Sequence, residues 1–387
     1  MIDHNSIWNI VDSIFVFLFG IWVVKLLCGY FKTYSQRAIY LYLWHTVFCF
    51  LYLWYVSSYG GDVLTYYNNS LSGNVNFSLG TDGVIFLTSI FTNIIGFSYY
   101  ATSLVYNIIG CIGLLAFDAS LRFIVHDKNK HLRRLATIIV FLPSISFWSS
   151  AIGKDSIAFL SIGLALWAAI NYKKRIWLMF PAILIMFLVR PHIAGVLIFS
   201  FSLSILIKSR LSPFVRIAIG SIAVIACIYL VPVGISYSKA ENVSSSNELS
   251  RYINKRSSYN RMGGGGIDIS NMPLPLKVGT YLFRPLPFEV KNISFLAASI
   301  DNMLLFYLFI IGIYAIIKKH YHSKGENRVF MWTYSLITLL LLSSTTANLG
   351  ISMRQKWMFV PMLIFLMISV LGRKQDGKQK LNHSAAL

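Results

Sequence analysis

Long apolar runs dominate this sequence and set the first limit on what it can fold into. A helix that crosses a membrane needs about 20 mostly apolar residues, and about eleven runs in the chain approach that length. We therefore predict an all-α polytopic membrane protein with about eleven transmembrane helices in a single integral membrane domain, residues 1–387. The predicted spans are 13–31, 38–57, 98–118, 135–151, 156–171, 176–190, 193–207, 214–234, 295–317, 329–346 and 357–372.

The composition argues against a soluble enzyme. Hydrophobic residues make up 56% of the chain and charged residues only 12%, whereas soluble domains are about 25% charged. The first run is not a cleavable signal peptide, because acidic residues flank it and no small-residue cleavage site follows. The four cysteines lie within or beside apolar runs without metal-ligand or disulfide spacing, so we predict buried free thiols and no metal site.

The net charge of +20 indicates membrane orientation rather than nucleic-acid binding. One set of loops, with the tail 373–387, holds 22 basic residues against four acidic ones, and the opposite set holds twelve against ten. Cytoplasmic loops carry the excess of Lys and Arg, so the N-terminus is predicted outside and the C-terminus and tail inside. The outer face then has two sizeable segments, 58–97 and one long loop, 235–294. Within the first, Val84–Gly96 is apolar but short, which suggests a re-entrant or interfacial helix.

Four basic residues lie in short outer loops, where the charge bias makes Lys and Arg unusual: Lys154, Arg190, Arg354 and Lys356. An ionisable group at membrane depth is a candidate for a functional site. The alternative is a side chain at a helix end that extends its charge to the membrane surface. Because four such residues recur at one face alongside acids, we favour an anion-binding site.

Two of these residues lie in tight turns with other chemically useful groups. Lys154 and Asp155 either neutralise each other, or Lys154 binds an anion while Asp155 caps the following helix. Arg190 is followed by Pro191 and His192. Arginine can bind a phosphate in a bidentate manner, and histidine can take a proton near neutral pH; the alternative is a structural histidine.

Further candidates lie on the longer outer segments. Asp62 and Tyr66 on the first segment suit a general base and sugar contacts, or an ordinary turn. Arg284 and Glu289 lie on a proline-rich segment that could form the rigid rim of a cavity, or a helix entry with a salt bridge.

Two other features receive non-catalytic interpretations first. Asp301 and Asn302 lie near the start of the predicted ninth span. We interpret them first as a helix N-cap and second as a substrate contact. Gly263–Gly266 is predicted to be a flexible hinge, because no GK[ST] sequence follows it. No pattern calls for a metal or a cofactor.

The order of these motifs resembles a known family. A Gly-Asp-x-x-x-Tyr motif precedes Pro-Ser-x-x-Phe-Trp-x-Ser with Gly-Lys-Asp, then Arg-Pro-His, Phe-Arg-Pro-Leu-Pro-Phe-Glu, and Asn-x-Gly with Arg-x-Lys. Together they resemble the bacterial oligosaccharide repeat-unit polymerases (Wzy-type O-antigen or capsule polymerases) and, more distantly, the C-type membrane glycosyltransferases. The residues are Gly61, Asp62 and Tyr66; Pro143, Ser144, Phe147, Trp148, Ser150, Gly153, Lys154 and Asp155; Arg190, Pro191 and His192; Phe283 to Glu289; and Asn348, Gly350, Arg354 and Lys356.

The resemblance implies an enzyme that polymerises undecaprenyl-diphosphate-linked oligosaccharides at the periplasmic face of the bacterial inner membrane. It places the diphosphate on Arg190, Arg284 and Arg354. We expect Lys154, Asp155, Lys356 and Tyr66 to contact substrate as well, and His192, Asp62 or Glu289 to act in catalysis. A chain-length regulator in the membrane would be a further partner.

Two alternatives remain at this stage. A C-type glycosyltransferase would add one sugar from a polyprenyl-phosphate donor, and its usual acidic pair in the first outer loop is represented near the membrane by Asp62 alone. A flippase or another transporter of lipid-linked oligosaccharides would carry charges inside its bundle. The predicted spans are almost free of charge at their centres, which favours transfer over transport.

Overall fold

The described part of the chain is built from helices. A computed structural model describes residues 7–73, 75–208, 266–269, 272–290, 293–318 and 326–372, with a few single residues between 212 and 221. Within these ranges there is no strand, and one isolated antiparallel bridge joins Gly266 to Asn348. The predicted span 214–234, most of the long loop 235–294 and the tail 373–387 fall largely or wholly outside the described residues.

The helices of the N-terminal half follow the apolar runs and end at polar or glycine-containing turns. They are α1 Ile7–Cys28, α2 Ser35–Tyr59, α3 Asp62–Ser70, α4 Thr81–Ser89, α5 Tyr99–Val125, α6 Lys130–Val140, α7 Pro143–Ser149, α8 Lys154–Ile170, α9 Tyr172–Arg175, α10 Met179–Val189 and α11 Pro191–Lys208. A π-helical turn, Ile90–Ile95, continues α4.

Five α-helices are described beyond position 265, and the first of them lies within the predicted long loop. They are α12 Leu274–Phe283, α13 Ile293–Ile317, α14 Arg328–Thr345, α15 Leu349–Gln355 and α16 Val360–Val370. A 3₁₀ turn, Lys356–Met358, follows α15, and the chain then bends by 62° into α16. Pro361 in the first turn of α16 suits this bend, because proline is tolerated at a helix start and cannot continue a preceding helix.

Five helical segments among the described residues are long and apolar enough to cross a membrane, and the bent pair 349–358 and 360–370 could form a sixth. The chain is therefore a multi-pass membrane protein, as predicted. Eleven spans remain a prediction. Several predicted spans correspond to helices shorter than the bilayer requires, such as the eleven-residue helix α10. Thr81–Ile95 is likewise a short apolar helix.

Loops that the charge pattern assigns to one side contact each other at one end of the bundle. At the predicted inner end, the N–H of Asn327 donates to the carbonyl of Ala169 at 2.8 Å; at the predicted outer end, the N–H of Gly80 donates to the carbonyl of Leu188 at 2.7 Å. Which end faces the cytoplasm remains the prediction made from the charges.

The prediction that Asp301 and Asn302 form the N-cap of the ninth span is wrong. α13 begins at Ile293, so both residues lie inside the helix. The small and apolar residues that precede Asp301 continue the helix instead of ending it. The Asp301 carboxylate accepts the backbone N–H of Ser144 at 2.9 Å and thus caps a different helix, α7.

The centre of the bundle depends on close packing of α5 against α8. Glycines face each other at the crossing: a Cβ on Gly163 would lie 2.6 Å from the carbonyl oxygen of Gly113, and one on Gly113 would lie 2.8 Å from that of Phe159. Small residues allow two membrane helices to approach closely. This crossing fixes α8, whose first two residues are Lys154 and Asp155.

We predict that Gly163→Ala destabilises the bundle by about 1–3 kcal/mol, because the added methyl group meets backbone atoms that cannot move aside. The matched control is Gly279→Ala in α12, where a Cβ would meet nothing within 4 Å. Thermal unfolding in detergent measures both. Equal unfolding temperatures for the two variants would contradict the glycine-packing account.

Candidate functional site

Charged side chains from four separate parts of the chain meet at the predicted outer end of the bundle. They lie at the start of α3, at the start of α8, at the junction of α10 and α11, and on α15. We call this group the outer ion cluster; it consists of Asp62, Lys154, Asp155, Arg190 and Arg354.

Asp155 lies at the centre of the cluster. Its side chain is 8% exposed; Oδ1 accepts from Nη2 of Arg190 at 3.0 Å, and Oδ2 accepts from Nε of Arg354 at 2.9 Å. The prediction that Asp155 caps α8 is wrong, since the N-cap position Gly153 has no side-chain cap and both Asp155 oxygens bind arginines. Two largely buried guanidinium groups compete more strongly for this carboxylate than backbone N–H groups do.

Arg354 joins the centre of the cluster to its exposed edge. Its two terminal nitrogens both donate to Oδ2 of Asp62 at 3.0 Å. The guanidinium carbon also lies 5.6 Å from the ring centre of Trp148, a cation–π contact. Asp62 is 56% exposed, so this edge of Arg354 faces the surface of the protein.

Lys154 lies beside the arginines. Its ammonium donates to Oγ1 of Thr81, the first residue of α4, at 2.8 Å. Burial, followed by the positive charge of Arg190, lowers the pKa of Lys154 to about 8. For Asp155, burial alone would raise the pKa, but Arg354 and Arg190 outweigh it and hold the pKa below its ordinary value. The two arginines therefore keep the Asp155 carboxylate ionised at neutral pH.

Aromatic side chains line this end of the bundle. Tyr66 is buried, and burial together with the nearby Asp62 carboxylate raises its pKa. Tyr281 of α12 is also buried, and this burial raises the pKa of its hydroxyl. It lines a narrow crevice whose other polar walls are Lys277, Thr280, Thr346, Asn348 and Ser352.

The segment that carries Arg284 and Glu289 forms its own ion pair. Nε of Arg284 donates to Oε1 of Glu289 at 2.8 Å, and the N–H of Leu286 donates to Oε2 at 2.8 Å. Hydrogen bonding by Arg284 lowers the pKa of Glu289, although burial opposes it. Of the two interpretations made from the sequence, the helix entry with a salt bridge matches these contacts. Arg284 is not among the residues that contact Asp155.

The remaining predicted residues occupy distinct positions. Lys356 is completely buried, and its ammonium donates to Oδ1 of Asn302, whose Nδ2 donates to the carbonyl of Pro285 at 3.1 Å. These bonds link the 3₁₀ turn after α15 to α13 and to the Arg284 segment. His192 is half-buried in the first turn of α11, two positions after Arg190.

The sequence did not predict three features of this end of the bundle: the contact made by Thr81, the position of Tyr281 and the cation–π contact of Trp148. None carries a charge that would single it out, and each becomes visible only through a contact with a distant residue. No group of three or more potential metal ligands occurs in the described ranges.

Comparison of the chain with protein-family models, with curated proteins and with solved structures finds no match in any of the three. The interpretation of the outer ion cluster therefore depends on its own geometry and on the motifs in the sequence.

We predict that Asp155→Asn destabilises the protein by about 3–5 kcal/mol, because two largely buried arginines lose their shared carboxylate. Asp62→Asn should cost at most about 1 kcal/mol, since an exposed ion pair contributes little. Thermal unfolding of both variants in detergent measures the difference. If Asp62→Asn lowered stability as much as Asp155→Asn, Asp155 would not be the centre of the cluster.

Proposed function

We propose that this protein polymerises oligosaccharide repeat units carried on undecaprenyl diphosphate, at the periplasmic face of the bacterial inner membrane. The observation that carries the proposal is the contact of Arg190 and Arg354 with the buried carboxylate of Asp155, with Lys154 beside them, at the end of the bundle predicted to lie outside. The order of motifs that resembles the Wzy-type polymerases supports it, as does the multi-pass membrane fold.

In this reaction a hydroxyl group of the acceptor sugar attacks the anomeric carbon of the donor unit. The bond between that carbon and the diphosphate oxygen breaks, and the diphosphate leaves with the electron pair. Negative charge builds up on the leaving oxygen in the transition state, so preorganised cations supply the largest part of the catalysis. Arg190, Arg354 and Lys154 have the charge and the position for this task.

The acceptor hydroxyl must also lose a proton, and we assign His192 as the general base. It adjoins the cluster through Arg190 in the sequence and is half-buried. An imidazole accepts protons near neutral pH, which suits a general base. The two carboxylates also considered, Asp62 and Glu289, are each bound by an arginine. Hydrogen bonding by Arg284 lowers the pKa of Glu289 and weakens it as a base. In Asp62, Oδ2 already accepts two hydrogen bonds from Arg354.

One observation favours a second candidate, a flippase for lipid-linked oligosaccharides. Asp301 and Asn302 are completely buried within α13, and Lys356 in the bent pair 349–370 contacts Asn302. Charges buried at membrane depth are typical of transport pathways. The C-type glycosyltransferase remains an alternative from the sequence alone.

We predict that Arg190→Lys and Arg354→Lys each shorten the polysaccharide ladder on a gel when they replace the wild-type protein in the native host. Lysine keeps the charge but lacks the forked donors that bind a carboxylate or phosphate in a bidentate manner. Arg133→Lys, an exposed residue of α6, is the matched control and should leave the ladder unchanged at equal protein level.

Deletion of the protein separates the two candidates. A polymerase deletion leaves single repeat units that have crossed the membrane, whereas a flippase deletion leaves units on the cytoplasmic side. Long chains that persist in the deletion strain would contradict the polymerase proposal.

A further inference from the structure

Asp62 and Asp155 both bind Arg354, but the two carboxylates are held very differently. Both Asp155 oxygens are bound, each by a different arginine, and the side chain is almost fully buried. Asp62 contacts Arg354 through a single oxygen, Oδ2, and more than half of its side chain is exposed. The Asp155 carboxylate is therefore part of the packed structure, whereas the Asp62 carboxylate only covers the outward edge of the Arg354 guanidinium.

The chain around Asp62 leaves its side chain free to move away. Asp62 is the first residue of α3, and the helix is anchored further along by the buried residues Val63 and Tyr66. Gly60 and Gly61, which precede it, are exposed; Gly60 has φ +78°, and a Cβ there would meet nothing within 4 Å. A rotation of the Asp62 side chain is therefore enough to release Arg354, with no movement of a helix.

From this geometry we propose that Asp62 occupies the anion-binding position of Arg354 in the resting protein and that a phosphate group of the substrate displaces it. Carboxylate and phosphate are both recognised by the forked donors of an arginine. The exposed ion pair with Asp62 is weak compared with the buried pair with Asp155. Incoming phosphate therefore exchanges with Asp62 while Asp155 keeps Arg354 in place.

The charge of the cluster supports a diphosphate as the displacing group. With Asp62 in place, three cations oppose two carboxylates; once Asp62 leaves, Lys154, Arg190 and Arg354 oppose Asp155 alone. The two excess positive charges match a sugar-linked lipid diphosphate, which carries one negative charge on each phosphate. The identity of this group as the leaving diphosphate rests on the proposed function, whereas the displacement of Asp62 by an anion does not.

The experiment measures the binding of inorganic pyrophosphate to the purified full-length protein in detergent by isothermal titration calorimetry. Asp62→Asn removes the competing carboxylate and should tighten binding by about five-fold, the factor expected for loss of one exposed ion pair. The matched control is Asp82→Asn, an exposed aspartate in the first turn of the neighbouring helix α4. It should bind as the wild type does.

Equal or weaker binding by Asp62→Asn relative to Asp82→Asn would overturn the proposal, as would absence of pyrophosphate binding in every variant. An Asp62→Asn variant that loses the polysaccharide ladder with an unchanged dissociation constant would instead make Asp62 the catalytic base, which also overturns it. Tighter binding by Asp62→Asn in a protein whose deletion leaves the ladder intact would support the displacement and reject the polymerase. These outcomes can therefore reject the displacement of Asp62 without rejecting the polymerase function, and the reverse.

Discussion

The buried carboxylate of Asp155 is the contact on which the outer end of this protein depends. It binds Arg190, 35 positions away, and Arg354, 199 positions away. A carboxylate in this position must be paired, because an isolated buried charge is strongly unfavourable. The same requirement holds for both arginines. The pairings therefore force α8, the junction of α10 and α11, and α15 to meet, and Arg354 then reaches Asp62 at the surface.

Charges at the opposite end of the bundle are used differently. Asp118 is completely buried between Arg37 and Arg122, and Arg122 also donates to the carbonyl of Lys32 at 2.8 Å. Lys128 donates to three carbonyls at the end of α16, at 2.6 to 2.8 Å. The hydrogen bonds of these cations go to groups of the protein itself, and they hold loops and a helix end together. Arg354 at the outer end differs because one of its two carboxylate partners, Asp62, is exposed, which makes that end the better candidate for binding a substrate anion.

Much of the fold follows from local patterns in the sequence. The apolar runs predicted α1, α2, α5 and α14 to within about seven residues at each end, since burial of apolar surface and backbone hydrogen bonding decide where such helices form. The helix α13, Ile293–Ile317, begins only two residues before the predicted span 295–317, but the N-cap role predicted for Asp301 is wrong. A polar residue in a helix interior and one at a cap look alike until the partner, here Ser144, is known.

The candidate site was predictable only in part. The charge bias between the two sets of loops singled out Lys154, Arg190 and Arg354, because basic residues in short outer loops are unusual. The salt bridge between Arg284 and Glu289, five positions apart, was one of the two interpretations made from the sequence. The sequence could not show that Arg190 and Arg354 both bind Asp155. The two pairings of Asp155 join residues 35 and 199 positions apart, which only the packing of several helices brings together, so a single sequence holds no local signal for them.

The central claim is that Arg190 and Arg354, held by Asp155, bind the diphosphate of a lipid-linked substrate. The most direct test is an experimental structure of the protein with undecaprenyl diphosphate in a lipid nanodisc. We expect phosphate oxygens within hydrogen-bond distance of Arg354 and Arg190, with Asp155 still bound to both and Asp62 turned away. A diphosphate bound elsewhere, for example at Arg284, with the Arg354–Asp62 pair intact, would contradict it.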